Sequence, residues 1–213
     1  MIPSRMTALA LAALALSSSA LASFAQAKEG PRTPTDLAAA LECRDAGAYR
    51  AIGDDLFLND KPPAWLKAVE RKDAPLGYYE FELAQPITAL GTKVERVGFL
   101  KEWVLIELPR DQALALVGRE SLARAPIRSA EQYYRFIDAE SGPMLSVFEL
   151  NVDALAALFA PPGTVARAPA ATLFAGCNYA PASQEMFLEA ATQADAMLAK
   201  TANELKDLLG GKK

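Results

Sequence analysis

The chain contains no histidine at all. That absence removes Ser-His-Asp and Cys-His catalysis and every imidazole metal site. It contains two cysteines, Cys43 and Cys177, too few for a zinc site without imidazole partners. Ser-Lys catalysis is unsupported as well, because no serine has lysine three positions later. "AESGP" at 139–143 fails the G-x-S-x-G pattern at Ala139. No P-loop and no G-x-G-x-x-G occurs, so no nucleotide or other cofactor is expected. Excess positive charge is missing too. The formal charge is −4, which argues against binding to nucleic-acid phosphates or to an anionic lipid surface. Beyond the first thirty residues no apolar run is long enough to span a bilayer, so no membrane anchor is expected.

The chain does have a leader-like start, "MIPSRMTALALAALALSSSALASFAQAKEG". Arg5 supplies a positive n-region, Met6 to Leu16 an apolar core, and Ala20–Ala22 or Ala25–Ala27 a small-residue cleavage site. This is the layout of a secretory signal peptide. The reading is residues 1–27 as a leader cleaved after Ala27, with Ala22 as the alternative, and residues 28–213 as one domain. The leader holds one base and no acid, so its loss makes the product one charge more negative. The expected destination is the periplasm or the cell exterior. "LFAGC" at 173–177 resembles a lipobox, but it is internal and is read as accidental.

An oxidising compartment turns two cysteines into one disulfide, Cys43–Cys177. A reactive thiol would need a base partner, usually histidine, and none exists.

Periodicity gives the fold class. "PRTPTDLAAALECRDAG" reads as a helix capped by Thr35 and ended by Gly47. In the next stretch Tyr49, Ile52, Leu56 and Phe57 suggest a helical face broken at Gly53. "PAWLKAVERKD" reads as a short amphipathic helix with Pro63 in its first turn. "YYEFELAQPI" alternates, with Tyr79, Phe81 and Leu83 on one face and Glu80 and Glu82 on a solvent face. "TKVERVGFL" and "EWVLIELP" follow, joined by a turn at Lys101-Glu102. "RDQALALVGRE" reads as a helix, and "EQYYRFIDAESGPMLSVFELN" as strand, turn and strand. "VDALAALFAPPG" reads as a short helix and "ATLFAGCNY" as a last strand. From Ser183 an apolar stripe through Phe187, Ala191, Ala194, Leu198, Thr201, Leu205 and Leu208 predicts a long final helix. The expectation is an α+β fold: a mostly antiparallel sheet of about five strands packed against helices, with a long C-terminal helix.

Three functional readings stay open. The first is a non-catalytic binding protein of the bacterial envelope, of inhibitor, immunity or adaptor type, that covers a basic partner. Its candidate contacts are Trp65, Tyr78, Tyr79, Trp103, Tyr133 and Tyr134, because exposed Tyr and Trp are the usual interface anchors. The second is a histidine-free glycan hydrolase. It would draw on Asp54, Asp55, Asp60, Glu80 and Glu82, two of them about 5–10 Å apart. "DDLFLND" also offers oxygen ligands for calcium, without the spacing of an EF-hand loop. The third is a carrier that holds a small apolar ligand between the sheet and the final helix.

Overall fold

A computed structural model describes residues 32–72, 74, 76–127, 130–150 and 169–210. The leader and the helix expected at "VDALAALFAPPG" lie outside these residues. So do the side chains of Leu198, Leu205 and Leu208.

The protein is α+β and carries the Cys43–Cys177 disulfide. The first helix, α1 (Pro34–Leu41), starts two residues earlier than its sequence suggested. Thr33, not Thr35, is the N-cap, and it forms a reciprocal capping box with Asp36. The helix stops at Glu42, before Gly47. Asp45 then caps α2 (Ala46–Gly53) by accepting from the Ala48 amide at 2.8 Å, which places Gly47 in the first turn of a second helix. Two caps only twelve residues apart divide what periodicity alone presents as one segment. The backbone carries on past Gly53 as one wide turn, Asp54–Leu58, closed by the Asn59 amide on the Asp54 carbonyl.

The sheet overturns the expected strand count. Among the described residues it has eight strands, all antiparallel, in the order β1-β2-β3-β4-β8-β7-β6-β5. Four form the first meander: β1 (Leu66–Val69), β2 (Tyr78–Ala89), β3 (Thr92–Leu100) and β4 (Trp103–Pro109). The second is β5 (Ala123–Arg124), β6 (Gln132–Phe136), β7 (Met144–Phe148) and β8 (Thr172–Asn178). The helix α3 (Arg110–Arg119) carries the chain from the centre of the sheet toward its far edge, and β8 returns to pair with β4. Both edge strands come from segments that did not read as strands. "LKAV" was expected to be helical, but Leu66 and Ala68 stand opposite Leu83 and Phe81 on β2. Burial of Leu66 there outweighs a weak local helix preference.

The C-terminal helix is corrected as well. The helix α4 spans Gln184–Gly210, and its described side chains beyond Ala194 are exposed, so it is not shown packed on the sheet along its length. Among its described side chains, contact with the fold lies between Gln184 and Ala194. Phe187 stacks on Tyr134 at 4.7 Å and on Phe136 at 5.8 Å, and Ala191 is buried. Farther along, Met197 is exposed.

The main core lies between the sheet and α1–α3. Leu37, Leu41 and Ile52 from the helices meet Val97, Val104, Val147 and Leu173 from the strands, and all are essentially inaccessible. Each large side chain of this kind contributes about 1.5–3 kcal/mol. Two tyrosines pin the helices to the sheet. Tyr179, just past β8, stacks on Tyr49 at 4.2 Å and donates to the Ala40 carbonyl at 2.8 Å. Tyr49 donates to the Lys101 carbonyl at 3.0 Å. Burial first, then nearby Glu102, pushes the Tyr49 hydroxyl up to about 12. Tyr179→Phe keeps the stack but leaves the Ala40 carbonyl without this donor. We expect a loss of about 1 kcal/mol, read as a fall of roughly 2–4 °C in thermal midpoint. An unchanged midpoint would show that the hydroxyl contributes nothing.

Candidate functional site

Strand alternation sends the candidate aromatics to different places. Tyr78 is buried on the sheet face opposite α1–α3, in T-shaped contact with Phe174 at 5.8 Å. Trp103 is half-buried beside Phe148 at 4.8 Å, and Tyr134 is buried under Phe187. The Trp65 indole donates to the Arg32 carbonyl at 2.9 Å. Tyr133 is half-buried, with its hydroxyl donating to Glu131 at 2.9 Å and Arg124 over its ring. Tyr79 alone of the six is exposed, at 54%. Its neighbours explain why. It stands second in β2, and the ring beside it, Phe57 at 5.0 Å, is itself exposed.

Phe57 joins it there. The wide turn after α2 leaves Leu56 half-buried against the core and swings Phe57 and Leu58 outward. Phe57 sits 5.0 Å from Tyr79 and 5.9 Å from Phe99, so one edge rests on the core while the rest faces water. Leu58 is 78% exposed, and Asp54 on the turn and Asp60 just past it are exposed too. Asp55 is held by Arg32 at 3.6 Å. This acidic turn carrying two outward apolar side chains is the first candidate surface. Sequence reasoning placed Phe57 with the inward residues. Its signal was the unbroken run Leu56-Phe57-Leu58, which no single helix face can bury.

The second candidate lies on the other side of the sheet. Glu80 was expected on a solvent face, yet it is buried, because the rings of Tyr78 and neighbouring side chains cover that end of the face. Glu82, two residues on, is exposed as expected. Arg71 Nη1 lies 2.8 Å from Glu107 Oε2 and 4.0 Å from Glu80 Oε1. The two carboxylate oxygens are therefore less than about 7 Å apart, inside the range that glycoside hydrolysis uses. Arg71 fills the space between them, where a sugar and its water would have to fit. Thr172 donates to the other Glu107 oxygen at 2.6 Å. A groove of about 480 Å³ opens above these residues, bounded also by Lys93, Arg96 and Gly98. Burial first, then the charge of Glu80, pushes the Tyr78 hydroxyl up to about 12, so it stays a neutral wall of the groove.

The remaining carboxylates do not join this pair. Asp54 and Asp55 sit on the wide turn and Asp60 just past it, and no group of three potential metal ligands gathers among the described residues. The cavity beside α4 is an open trough edged by Gln184, Glu185, Leu188 and Glu189, and not an apolar chamber. No protein-family model, no curated protein and no solved structure matches this chain.

Proposed function

We propose that the protein is an exported, non-catalytic binding protein that covers a basic surface of another envelope or secreted protein, in the manner of an inhibitor, immunity or adaptor protein. One observation carries the reading: Phe57 and Leu58 stand outward beside exposed Tyr79, flanked by Asp54 and Asp60. A monomer gains nothing by leaving a paired aromatic in water, and aromatic anchors ringed by charge are what a protein interface uses. The acidic flank and the net charge of −4 would steer a basic partner and make capture fall as salt rises. The leader-like start and the disulfide are compatible with export. Among the described residues no helix is long and apolar enough to cross a membrane.

The test is affinity capture from envelope extract with residues 28–213, at low and then moderate salt, using the native protein and a Phe57→Ala/Tyr79→Ala variant. Both side chains are substantially exposed, so the variant should fold. One stoichiometric partner is expected on the native protein, with each substitution costing about 2 kcal/mol, roughly thirtyfold in affinity. Absence of a stoichiometric partner, or equal capture by the variant, rejects the reading. A glycan screen covers the hydrolase reading, which Arg71 between Glu80 and Glu107 disfavours.

A further inference from the structure

The two edges of the sheet differ. β5 is two residues long, whereas β1 offers four, Leu66–Val69, with no proline and no register shift against β2. The Trp65 carbonyl accepts from the Ala84 amide at 2.9 Å. Antiparallel pairs alternate, so positions 65, 67 and 69 turn their backbone groups toward β2, and Leu66 and Ala68 turn theirs outward. The Leu66 amide donates to the Pro63 carbonyl at 2.8 Å. The Leu66 carbonyl and both backbone groups of Ala68 are left, and no described residue hydrogen-bonds to them. Ala68 is exposed, so this stretch of edge is open to solvent.

That edge adjoins the exposed aromatic surface. Ala68 stands opposite Phe81, and Tyr79, two positions along β2, shares its face with Phe81. A strand added outside β1 would set the side chain that faces Ala68 on this same side. The one charged residue of β1, Lys67, stands opposite Glu82 and so belongs to the other face. A pocket of about 230 Å³ opens where β1 and β2 part, bounded in part by Ala68, Glu70, Ala74, Tyr79 and Phe81. The hydrogen-bonding pattern of the edge selects its occupant. An extended backbone offers an amide and a carbonyl on one residue to meet those of Ala68, whereas a helix uses its own backbone groups internally.

We propose that the partner protein docks by strand addition: an extended segment of it pairs with β1 through Ala68 and sets one apolar side chain in this pocket, beside Tyr79. Main-chain bonds then supply affinity and the pocket supplies selectivity. The proposal rests on the protein-binding reading and names how the partner is held.

The test measures the affinity of the partner captured from envelope extract for residues 28–213, native and with Ala68→Pro or Ala68→Gly. Proline removes the outward amide and spares the β1–β2 ladder, in which that amide takes no part. Glycine keeps the amide. Ala68→Pro is expected to weaken binding by at least about tenfold and Ala68→Gly by less than about threefold. Hydrogen exchange on the native protein needs no variant: the Ala68 amide should slow by at least about tenfold in the complex. Equal binding by Ala68→Pro, or an Ala68 amide that exchanges as fast in the complex as in the free protein, overturns strand addition. If Phe57→Ala/Tyr79→Ala still loses the partner in that case, the protein-binding reading stands without it. No partner on the native protein rejects both. Self-association of the native protein that Ala68→Pro abolishes, read by sedimentation in the absence of any other partner, makes a second copy the occupant and overturns the proposal as well.

Discussion

Replacing Cys43 and Cys177 together by alanine is expected to lower the thermal midpoint by roughly 10–20 °C. The two cysteines are 134 positions apart and joined. Closing a loop of that length removes about 5 kcal/mol of unfolded-state entropy in the chain-entropy picture. A domain of ordinary stability has only about 5–15 kcal/mol in total, so the variant would keep a fraction of it. The positions magnify the effect. Cys43 directly follows α1, and Cys177 lies on β8, the strand that joins the two meanders. The bond therefore fastens the helical layer to the middle of the sheet. Alanine is the right replacement, since Cys177 is inaccessible and serine would bury a hydroxyl in an apolar site. Circular dichroism melts of the native and doubly substituted proteins give the answer. A difference under about 5 °C would mean that the unfolded chain is already restricted, or that native strain cancels the gain. Because both sulfurs are shielded, reductant should act on the folded protein only as fast as it opens.

The features legible in the sequence are those set by local pattern or by elimination. Alternation in "YYEFELAQPI" and β-branched density in "EWVLIELP" mark strands because both segments lie in the interior of the sheet. The pairing of Cys43 with Cys177 follows from having no other partner available. What escaped depends on non-local neighbours. Strand β1 is four residues long and β5 two, and each is held by a single neighbouring strand. Such edges carry little signal of their own. The stripe of α4 is real as a pattern, but a stripe does not say how much sheet is left to cover. Glu80 and Glu82 share one face and differ only in what surrounds them, so alternation assigns both to solvent. The same limit applied to the aromatics. A doubled tyrosine shows that one ring faces away from the other, and only the neighbours in the fold, Phe174 against Tyr78, decide that Tyr79 is the exposed one.

Gly176→Ala is expected to cost at least about 3 kcal/mol and to stop folding if the margin is small. Gly176 lies between Leu105 on β4 and Ser146 on β7, in the central ladder of the sheet. A Cβ at this position would fall 2.0 Å from the Val104 carbonyl oxygen and 3.0 Å from the Leu105 Cα. Both are backbone atoms of the pairing strand, so relief requires the β4–β8 ladder to open where the two meanders join. Gly98 supplies the comparison. Its Cβ would come 2.3 Å from the Tyr78 ring, which is closer than any real contact but belongs to a side chain. The ring can swing toward the groove at the cost of its contact with Phe174, so Gly98→Ala should lose only about 1–2 kcal/mol. Urea unfolding of both variants at one temperature tests the distinction. If Gly176→Ala is no worse than Gly98→Ala, the close approach of β8 to β4 is not what requires glycine there. If the order holds, the seam between the meanders tolerates no side chain at all at this position.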